Sequence, residues 1–148
     1  MDLIQIQKPL RWRGMQRLKK QLVPEELLNL QVKEFNKGNV NSLMTLYEND
    51  ACFASRSGQV IKGLGSIRLA LQDFIDMRCK LEVKVKKVLE ATNLALIVTE
   101  WSIKGIESDG KTVNLTGMGT IVLRQQSDST WLIVIENPWG LGNQDTFR

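Results

Sequence analysis

The chain has 148 residues, of which 43% are hydrophobic and 24% are charged, with 20 basic and 16 acidic side chains. These values suit one ordinary globular domain and exclude a disordered chain. The sequence also contains no repeat and no apolar run near the ~18 residues that cross a bilayer. Histidine is absent, which removes the commonest general base and the commonest metal ligand. We therefore expect no metal site, and we expect no organic cofactor either.

The positive charge is concentrated at the N-terminus. Residues 1–20 contain six basic side chains and one acid, which leaves 14 basic and 15 acidic residues in the rest of the chain. Since no basic face recurs along the body, nucleic-acid binding by the fold is disfavoured, and residues 1–23 are expected to be a solvated basic extension without nucleic-acid or membrane contact. Two cysteines and no secretory leader indicate a reducing, cytoplasmic location.

Two helices and a short hairpin are predicted in the first half of the domain. Pro24 followed by two glutamates predicts the start of the first helix, and Gly38 its left-handed end. A second, short helix is predicted over Val40–Tyr47. Ala51–Ser55 and Gln59–Lys62 then predict two short strands joined by a turn.

The second half begins with a helix and continues as a meander. Apolar spacing predicts the third helix over Ser66–Met77. From Lys80 onward apolar and polar residues alternate, which predicts strands, and Leu94–Ile106, Thr112–Leu123 and a last strand from Trp131 complete the set. Helices segregated from such a meander predict an α+β fold, with three N-terminal helices packed on a strongly curved, mostly antiparallel sheet that forms a cone with an internal pocket.

The stretch Thr130–Gly140 indicates where the last strand lies. It is apolar at both odd and even positions before Pro138 ends it. A strand that is apolar on both faces is covered on both sides, so it belongs in the middle of a sheet. Pro138 has no N–H to donate and must end the ladder.

This order of elements, with Phe-Asn-Lys-Gly-Asn at 35–39, Leu-Tyr-Glu-Asn-Asp-Ala at 46–51, Lys-Gly at 62–63 and Asn-Pro-Trp-Gly at 137–140, resembles the nuclear-transport-factor-2-like superfold. Within it the chain is similar to SnoaL-like and ketosteroid-isomerase-like proteins. The resemblance covers residues 24–140 as one domain and leaves 141–148 as a C-terminal tail. It implies a small-molecule-binding domain, which as an enzyme would be a cofactor-independent isomerase, cyclase or dehydratase acting on a small apolar, oxygen-bearing substrate. A noncatalytic, dimeric ligand carrier or protein-interaction module is the alternative.

The catalytic residues of the isomerase pattern are not kept. The resemblance places the family's helix-1 tyrosine at Gln31 and its proton-shuttling aspartate at Ser55. The family's second oxyanion acid falls near Met118 or Thr120. Steroid isomerisation by that mechanism requires a carboxylate base and a protonated acid, so catalysis stays an open question.

Glu100 and Glu136 are the candidate catalytic carboxyls, because each lies within an otherwise apolar strand. If one faces the cone interior, desolvation would raise its pKa and make it a plausible general base. If it faces the outer sheet surface, it meets solvent or a partner.

The candidate ligand-binding residues are those expected in or around the cone. Gln31 is one turn from Leu27, Leu28 and Phe35, so it should face inward, against a polar ligand atom or a strand carbonyl. The set comprises Gln31, Phe35, Phe53, Ser55, Phe74, Trp101, Met118, Thr120, Asn137 and Trp139. Whether the cone is open or plugged by its aromatic side chains is not decided by the sequence.

A homodimer is also predicted. The helices can cover one face of the meander, yet the long strands are apolar on both faces. One set of apolar side chains would stay uncovered in a monomer, and a two-fold partner on the open sheet face would bury it.

Overall fold

The computed structural model describes residues 23–140. The expectations for the basic extension and for the C-terminal tail fall on residues 1–22 and 141–148, outside that range. The helices are α1 (Pro24–Lys37), α2 (Val40–Met44) and α3 (Leu64–Asp76). The strands are β1 (Tyr47–Ala54), β2 (Val60–Lys62), β3 (Lys80–Ala91), β4 (Leu94–Ile106), β5 (Thr112–Gln125) and β6 (Trp131–Asn137).

The strands form one six-stranded sheet in the order β2-β1-β6-β5-β4-β3. All neighbouring pairs are antiparallel except β1 and β6, which run parallel. The helices pack on one face, so the predicted α+β fold is confirmed. β6 lies between β1 and β5, which confirms that the last strand is in the sheet interior.

α1 begins and ends where its sequence signals predict. Pro24 is in its first turn with Glu25 and Glu26, a position where the missing N–H costs nothing and acids favour the helix dipole. Gly38 has a φ of 73° and donates its N–H to the carbonyl of Phe35 at 3.0 Å. This left-handed cap turns the chain directly into α2.

The predicted second helix was too long. It ends at Met44 rather than at Tyr47, and β1 begins at Tyr47 rather than at Ala51. The reason is tertiary, because the carbonyl of Leu46 accepts the N–H of Ile133 at 2.8 Å. Pairing with β6 therefore takes the backbone at Tyr47 out of the helix.

The core lies between the helices and the inner face of the sheet. Its largest fully buried side chains are Leu27, Leu28, Leu43, Ile67, Ile97, Leu123 and Ile133. The outer face has no helix of the described residues on it, and Leu89, Leu94, Met118 and Ile135 are exposed there. None of the described helices is long and apolar enough to cross a membrane.

Candidate functional site

A β-bulge at Val134 decides where Glu136 points. Strict alternation would place Glu136 on the face of Leu132, opposite to Ile133. Consecutive residues of β5 pair with Ile133 and Ile135, so Val134 is an extra residue in β6. A bulge of one residue moves the following side chains to opposite faces. Accordingly Ile135 is 44% exposed, whereas Glu136 is only 7% exposed on the inner face.

Glu136 is held by two neutral donors from other elements. Gln31 on α1 donates from Nε2 to Glu136 Oε2 at 2.8 Å and to the hydroxyl oxygen of Tyr47 at 3.0 Å. The hydroxyl of Tyr47, at the start of β1, donates to Glu136 Oε1 at 2.5 Å. Gln31 is 6% exposed and Tyr47 3% exposed. The carboxyl is thus fixed by α1 on one side and by β1 on the other.

Burial dominates the electrostatics of this cluster. Desolvation raises the pKa of Glu136, while the hydrogen bonds from Tyr47 and Gln31 act in the opposite direction without cancelling the rise. The pKa of Tyr47 is raised well above its ordinary value by burial and by the neighbouring carboxyl of Glu136. Tyr47 therefore stays a donor, and Glu136 is the group of the pair that exchanges its proton more readily.

The cluster opens on a cavity of about 80 Å³ between the helices and the inner sheet face. Its wall contains the aromatic side chains of Phe35, Phe53, Phe74, Trp101 and Trp139, and its polar lining residues are Gln31, Thr99 and Glu136. Since one buried water needs roughly 10–15 Å³ of such space, the cavity has room for several waters or a compound of few heavy atoms. The predicted cone interior is thus narrowed by aromatic rings but not filled.

Two tryptophans form the wall beneath the end of β6. Trp101 donates its indole N–H to the carbonyl of Pro138 at 2.6 Å and meets Trp139 edge to face, with ring centroids 5.0 Å apart. Trp101 pairs with Gly117 across the sheet, where a Cβ would lie 2.7 Å from the Trp101 ring. Trp139 Nε1 is buried and has no hydrogen-bond partner among residues 23–140. The wall therefore carries an unused donor.

Seven of the residues proposed from the sequence line this cavity together: Gln31, Phe35, Phe53, Phe74, Trp101, Glu136 and Trp139. Gln31 faces inward as predicted, and its partners are side chains rather than a strand carbonyl.

Glu100 lies on the other side of the sheet. Its side chain is 54% exposed and pairs with Lys86 at 3.5 Å, while the next residue, Trp101, faces the cavity. Regular alternation along β4 is the reason, since no bulge separates the two. The prediction that Glu100 belongs to the candidate site was wrong. Its side chain points to the outer face of the sheet, which is the second of the two orientations given above.

Ser55 belongs to the turn after β1 rather than to the cavity. Its Oγ lies 3.0 Å from the Oγ of Ser57 and accepts the N–H of Gln59 at 3.2 Å. These bonds close the hairpin locally, which is a common task of serine in turns. The expectation that Ser55 lines the pocket was wrong.

Met118, Thr120 and Asn137 were also placed wrongly. Met118 is 51% exposed, because the cavity-lining Gly119 next to it takes the inward position of β5. Thr120 pairs with Asn137 in register, on the same outer row. Asn137 donates its side-chain N–H to the carbonyl of Gly140 at 2.8 Å and shapes the turn after β6.

Sequence reasoning missed Tyr47 and Thr99. Tyr47 is the only tyrosine of the chain, and a buried tyrosine hydroxyl needs a polar partner. That requirement pointed to an inward polar group such as Glu136. Thr99 is 3% exposed and donates from Oγ1 to the carbonyl of Gly119 at 3.4 Å. Thr99 alternates with Ile97 and Trp101 on the inward side of β4, and this alternation predicts that Thr99 also faces inward.

The described residues contain no group of three or more His, Cys, Asp or Glu side chains that could hold a metal ion. The polar groups of the residues that line the cavity are the carboxyl of Glu136, the amide of Gln31, the hydroxyl of Thr99 and the indole N–H of Trp139. One buried carboxyl with fixed donors can bind a polar group or transfer a proton.

No protein-family model and no curated protein matches the sequence. Solved structures do match the fold. A ketosteroid isomerase-like protein from Erwinia carotovora atroseptica SCRI1043 is 11% identical, with a TM-score of 0.69 over 80% of this chain and 93% of that chain. An NTF2-like protein with a cystatin-like fold from Novosphingobium aromaticivorans is 16% identical, with a TM-score of 0.64 over 91% of this chain and 85% of that one.

A putative calcium/calmodulin-dependent protein kinase II association domain from Xanthomonas campestris is 19% identical, with a TM-score of 0.63 over 75% of this chain and 80% of that chain. At such identities the likeness establishes the fold. The described residues therefore have the nuclear-transport-factor-2-like, cystatin-like α+β fold, as the sequence motifs predict.

Proposed function

We propose, from this fold and from the cluster at Glu136, that the chain is a small-molecule-binding domain. Its cavity takes a small, mostly apolar compound, and Glu136 contacts the polar group of that compound. The observation that supports the proposal is a carboxyl that is 7% exposed and lines an apolar cavity. Burying a carboxyl costs stability that a hydrophobic side chain would not cost, and such costs concentrate at functional sites.

The catalytic form of the proposal assigns a proton transfer to Glu136. The reaction would be of the isomerase, cyclase or dehydratase type on an oxygen-bearing substrate, without metal or organic cofactor. Burial raises the pKa of Glu136, and a general base works best when its pKa approaches the working pH. Gln31 and Tyr47 fix the carboxyl, which keeps it in one orientation towards a bound compound.

The second candidate is a noncatalytic ligand carrier or dimeric interaction module. The small size of the cavity, about 80 Å³, favours the interaction module, because most sites for drug-sized ligands have roughly 300–1,000 Å³. The apolar outer face of the sheet favours the dimeric form of this candidate.

Cyclopentanone tests binding and catalysis in one experiment. Binding should shift the NMR resonances of cavity residues such as Thr99 and Gly119, and the protein should accelerate deuterium exchange at the carbons next to the ketone. Glu136→Gln should slow that exchange about 100-fold or more, since a general base typically contributes about 10²–10⁴-fold. Glu100→Gln is the matched control, because Glu100 is exposed on the outer face, and it should leave the exchange unchanged.

Binding without accelerated exchange would favour the noncatalytic candidate. The binding proposal itself fails if a panel of small cyclic ketones, alcohols and amines produces no shifts at the cavity, or only shifts on the outer face.

A further inference from the structure

Among residues 23–140, Glu136 is the only charged side chain that lines the cavity. None of the four ion pairs among the described residues includes it, and histidine is absent from the chain. Its partners are an amide and a phenol, both neutral. The ionised carboxyl therefore lacks a compensating positive charge in the part of the chain that the structure describes, and a buried charge without one is costly.

The hydrogen bonds of the cluster already balance for an ionised carboxyl. The amide of Gln31 supplies two N–H donors and Tyr47 supplies one O–H donor. The acceptors are the hydroxyl oxygen of Tyr47 and the two carboxyl oxygens of Glu136, and each receives one of the three donors. What the cluster lacks is a cation rather than another neutral donor, and each carboxylate oxygen keeps further acceptor capacity.

The rest of the wall also suits a cation with an apolar body. Five aromatic side chains line the cavity: Phe35, Phe53, Phe74, Trp101 and Trp139. Aromatic ring faces attract ammonium groups, most strongly where water is excluded. An anionic ligand would meet no cationic side chain among these lining residues and would be repelled by Glu136.

We infer that the natural ligand of this cavity is a small protonated amine, whose ammonium group pairs with Glu136 while its few apolar carbons lie among the aromatic side chains. The inference rests on the proposed small-molecule site and specifies the polar group of its ligand. The ammonium hydrogens occupy the remaining acceptor capacity of the carboxylate, and the ion pair offsets the cost of burying the charge.

Cyclopentylamine and cyclopentanol test this inference on the complete chain. The two compounds have nearly the same shape, but the amine is a cation at neutral pH. Calorimetric or NMR titration should give at least about tenfold tighter binding of the amine, which is a modest energy for a charge pair out of water. Glu136→Gln should weaken amine binding about 30-fold or more while changing alcohol binding little. Glu100→Gln should change neither.

The pH dependence gives a second readout. Amine affinity should rise with pH as Glu136 loses its proton in the free protein, up to the pKa of the amine itself. An alcohol that accepts a hydrogen bond from the protonated carboxyl would bind more weakly as pH rises. Tyr47 is the titratable side chain that contacts Glu136, and its raised pKa keeps it protonated over this range. α1 contributes the neutral Gln31, and β5 places Ile121 opposite Glu136.

The outcomes separate this inference from the proposed function. If the alcohol binds as tightly as the amine, or if amine affinity falls as pH rises, the inference that the ligand is a cation is wrong. The proposed small-molecule site is not contradicted by either result. If neither compound shifts the cavity resonances at millimolar concentration, both proposals fail. The comparison of the two compounds on the unsubstituted chain needs no variant, so it decides the question even if Glu136→Gln does not fold.

Discussion

At the scale of single residues, the position of Glu136 follows from one extra residue in β6. Without the bulge at Val134, Glu136 would point to the outer face and Ile135 to the core. The bulge thus exchanges a hydrophobic side chain for a carboxyl inside the cavity. Such an exchange costs stability, and the cost depends on whether the carboxyl is charged.

This cost predicts a pH-dependent stability. Because burial raises the pKa of Glu136 above its ordinary 4.5, the folded state holds that proton more tightly than the unfolded state does. The contribution of Glu136 to the free energy of unfolding is therefore greatest below pH 4.5 and falls as pH rises through the folded-state pKa. Glu136→Gln should gain stability relative to the unsubstituted chain over that interval.

Urea denaturation at a series of pH values measures this difference. Asp73→Asn is the control, because Asp73 is an exposed residue of α3, and it should show no such pH-dependent gain. A difference between Glu136→Gln and the unsubstituted chain that does not vary with pH would contradict the expected linkage.

Gly117 leaves the space that the Trp101 ring occupies. A Cβ there would lie 2.7 Å from the ring, on a side chain that Pro138 holds by a hydrogen bond. Gly117→Ala should therefore destabilise the fold by about 1–3 kcal/mol and shift the fluorescence of Trp101. Gly65→Ala in α3 is the control, because nothing lies within 4 Å of its added Cβ, and it should be neutral or stabilise by about 0.4–1 kcal/mol. Equal effects would contradict the packing argument.

The candidate site could be predicted from the sequence only in part. The inward direction of Gln31, Phe35 and Trp101 follows from regular helical or strand periodicity. The direction of Glu136 does not follow from periodicity, because the bulge in β6 is created by pairing between strands. The strand position of Tyr47 is likewise set by pairing, because its partner Ile133 is far along the chain. The local sequence therefore predicts a helix at Tyr47 where a strand forms.

At the scale of elements, Asn36 joins α1 to the edge strand β3. Its side chain accepts the N–H of Leu81 at 2.7 Å and donates to the carbonyl of Leu81 at 2.9 Å. The amide thus makes the two bonds that a neighbouring strand would make at that position. It satisfies part of an edge that otherwise offers unpaired backbone groups.

Asn36→Ala should destabilise the domain by about 1–2 kcal/mol, since two hydrogen bonds of about 0.5–1.5 kcal/mol each are lost. Hydrogen exchange should show the amide of Leu81 losing protection first. Asn29→Ala is the matched control, because Asn29 is an exposed residue of the same helix, and alanine there should be neutral or slightly stabilising. Unchanged protection at Leu81 in Asn36→Ala would show that β3 does not depend on this contact.

Regular elements were easier to predict than their junctions. The alternation in Leu94–Ile106 specifies a half-buried strand by itself, and α1 carries signals at both ends. The boundary between α2 and β1 carries no such local signal, because the parallel pairing with β6 sets it. Local patterns therefore predicted which elements form, and distant pairing set where β1 begins.

At the scale of the whole molecule, the two faces of the sheet differ in what covers them. The inner face packs against the helices, and its core residues are nearly inaccessible. On the outer face, Leu89 pairs in register with Leu96, Leu96 with Val122, and Val122 with Ile135. This row crosses four neighbouring strands, and the exposed Leu94 and Met118 lie on the same face.

We expect a second copy of the chain to cover this face in a two-fold homodimer. Leu89, Leu94, Met118 and Ile135 are 53%, 40%, 51% and 44% exposed, and a continuous apolar patch across several strands is uncommon on a monomer. An isologous contact of about 800 Å² per chain would bury it. Light scattering at micromolar concentration should give twice the monomer mass, and Leu89→Lys should shift the protein towards monomer. Leu69→Lys is the control, because Leu69 is 71% exposed on α3, away from the sheet, and it should leave the dimer intact. A monomer mass for the unsubstituted chain would rule the dimer out.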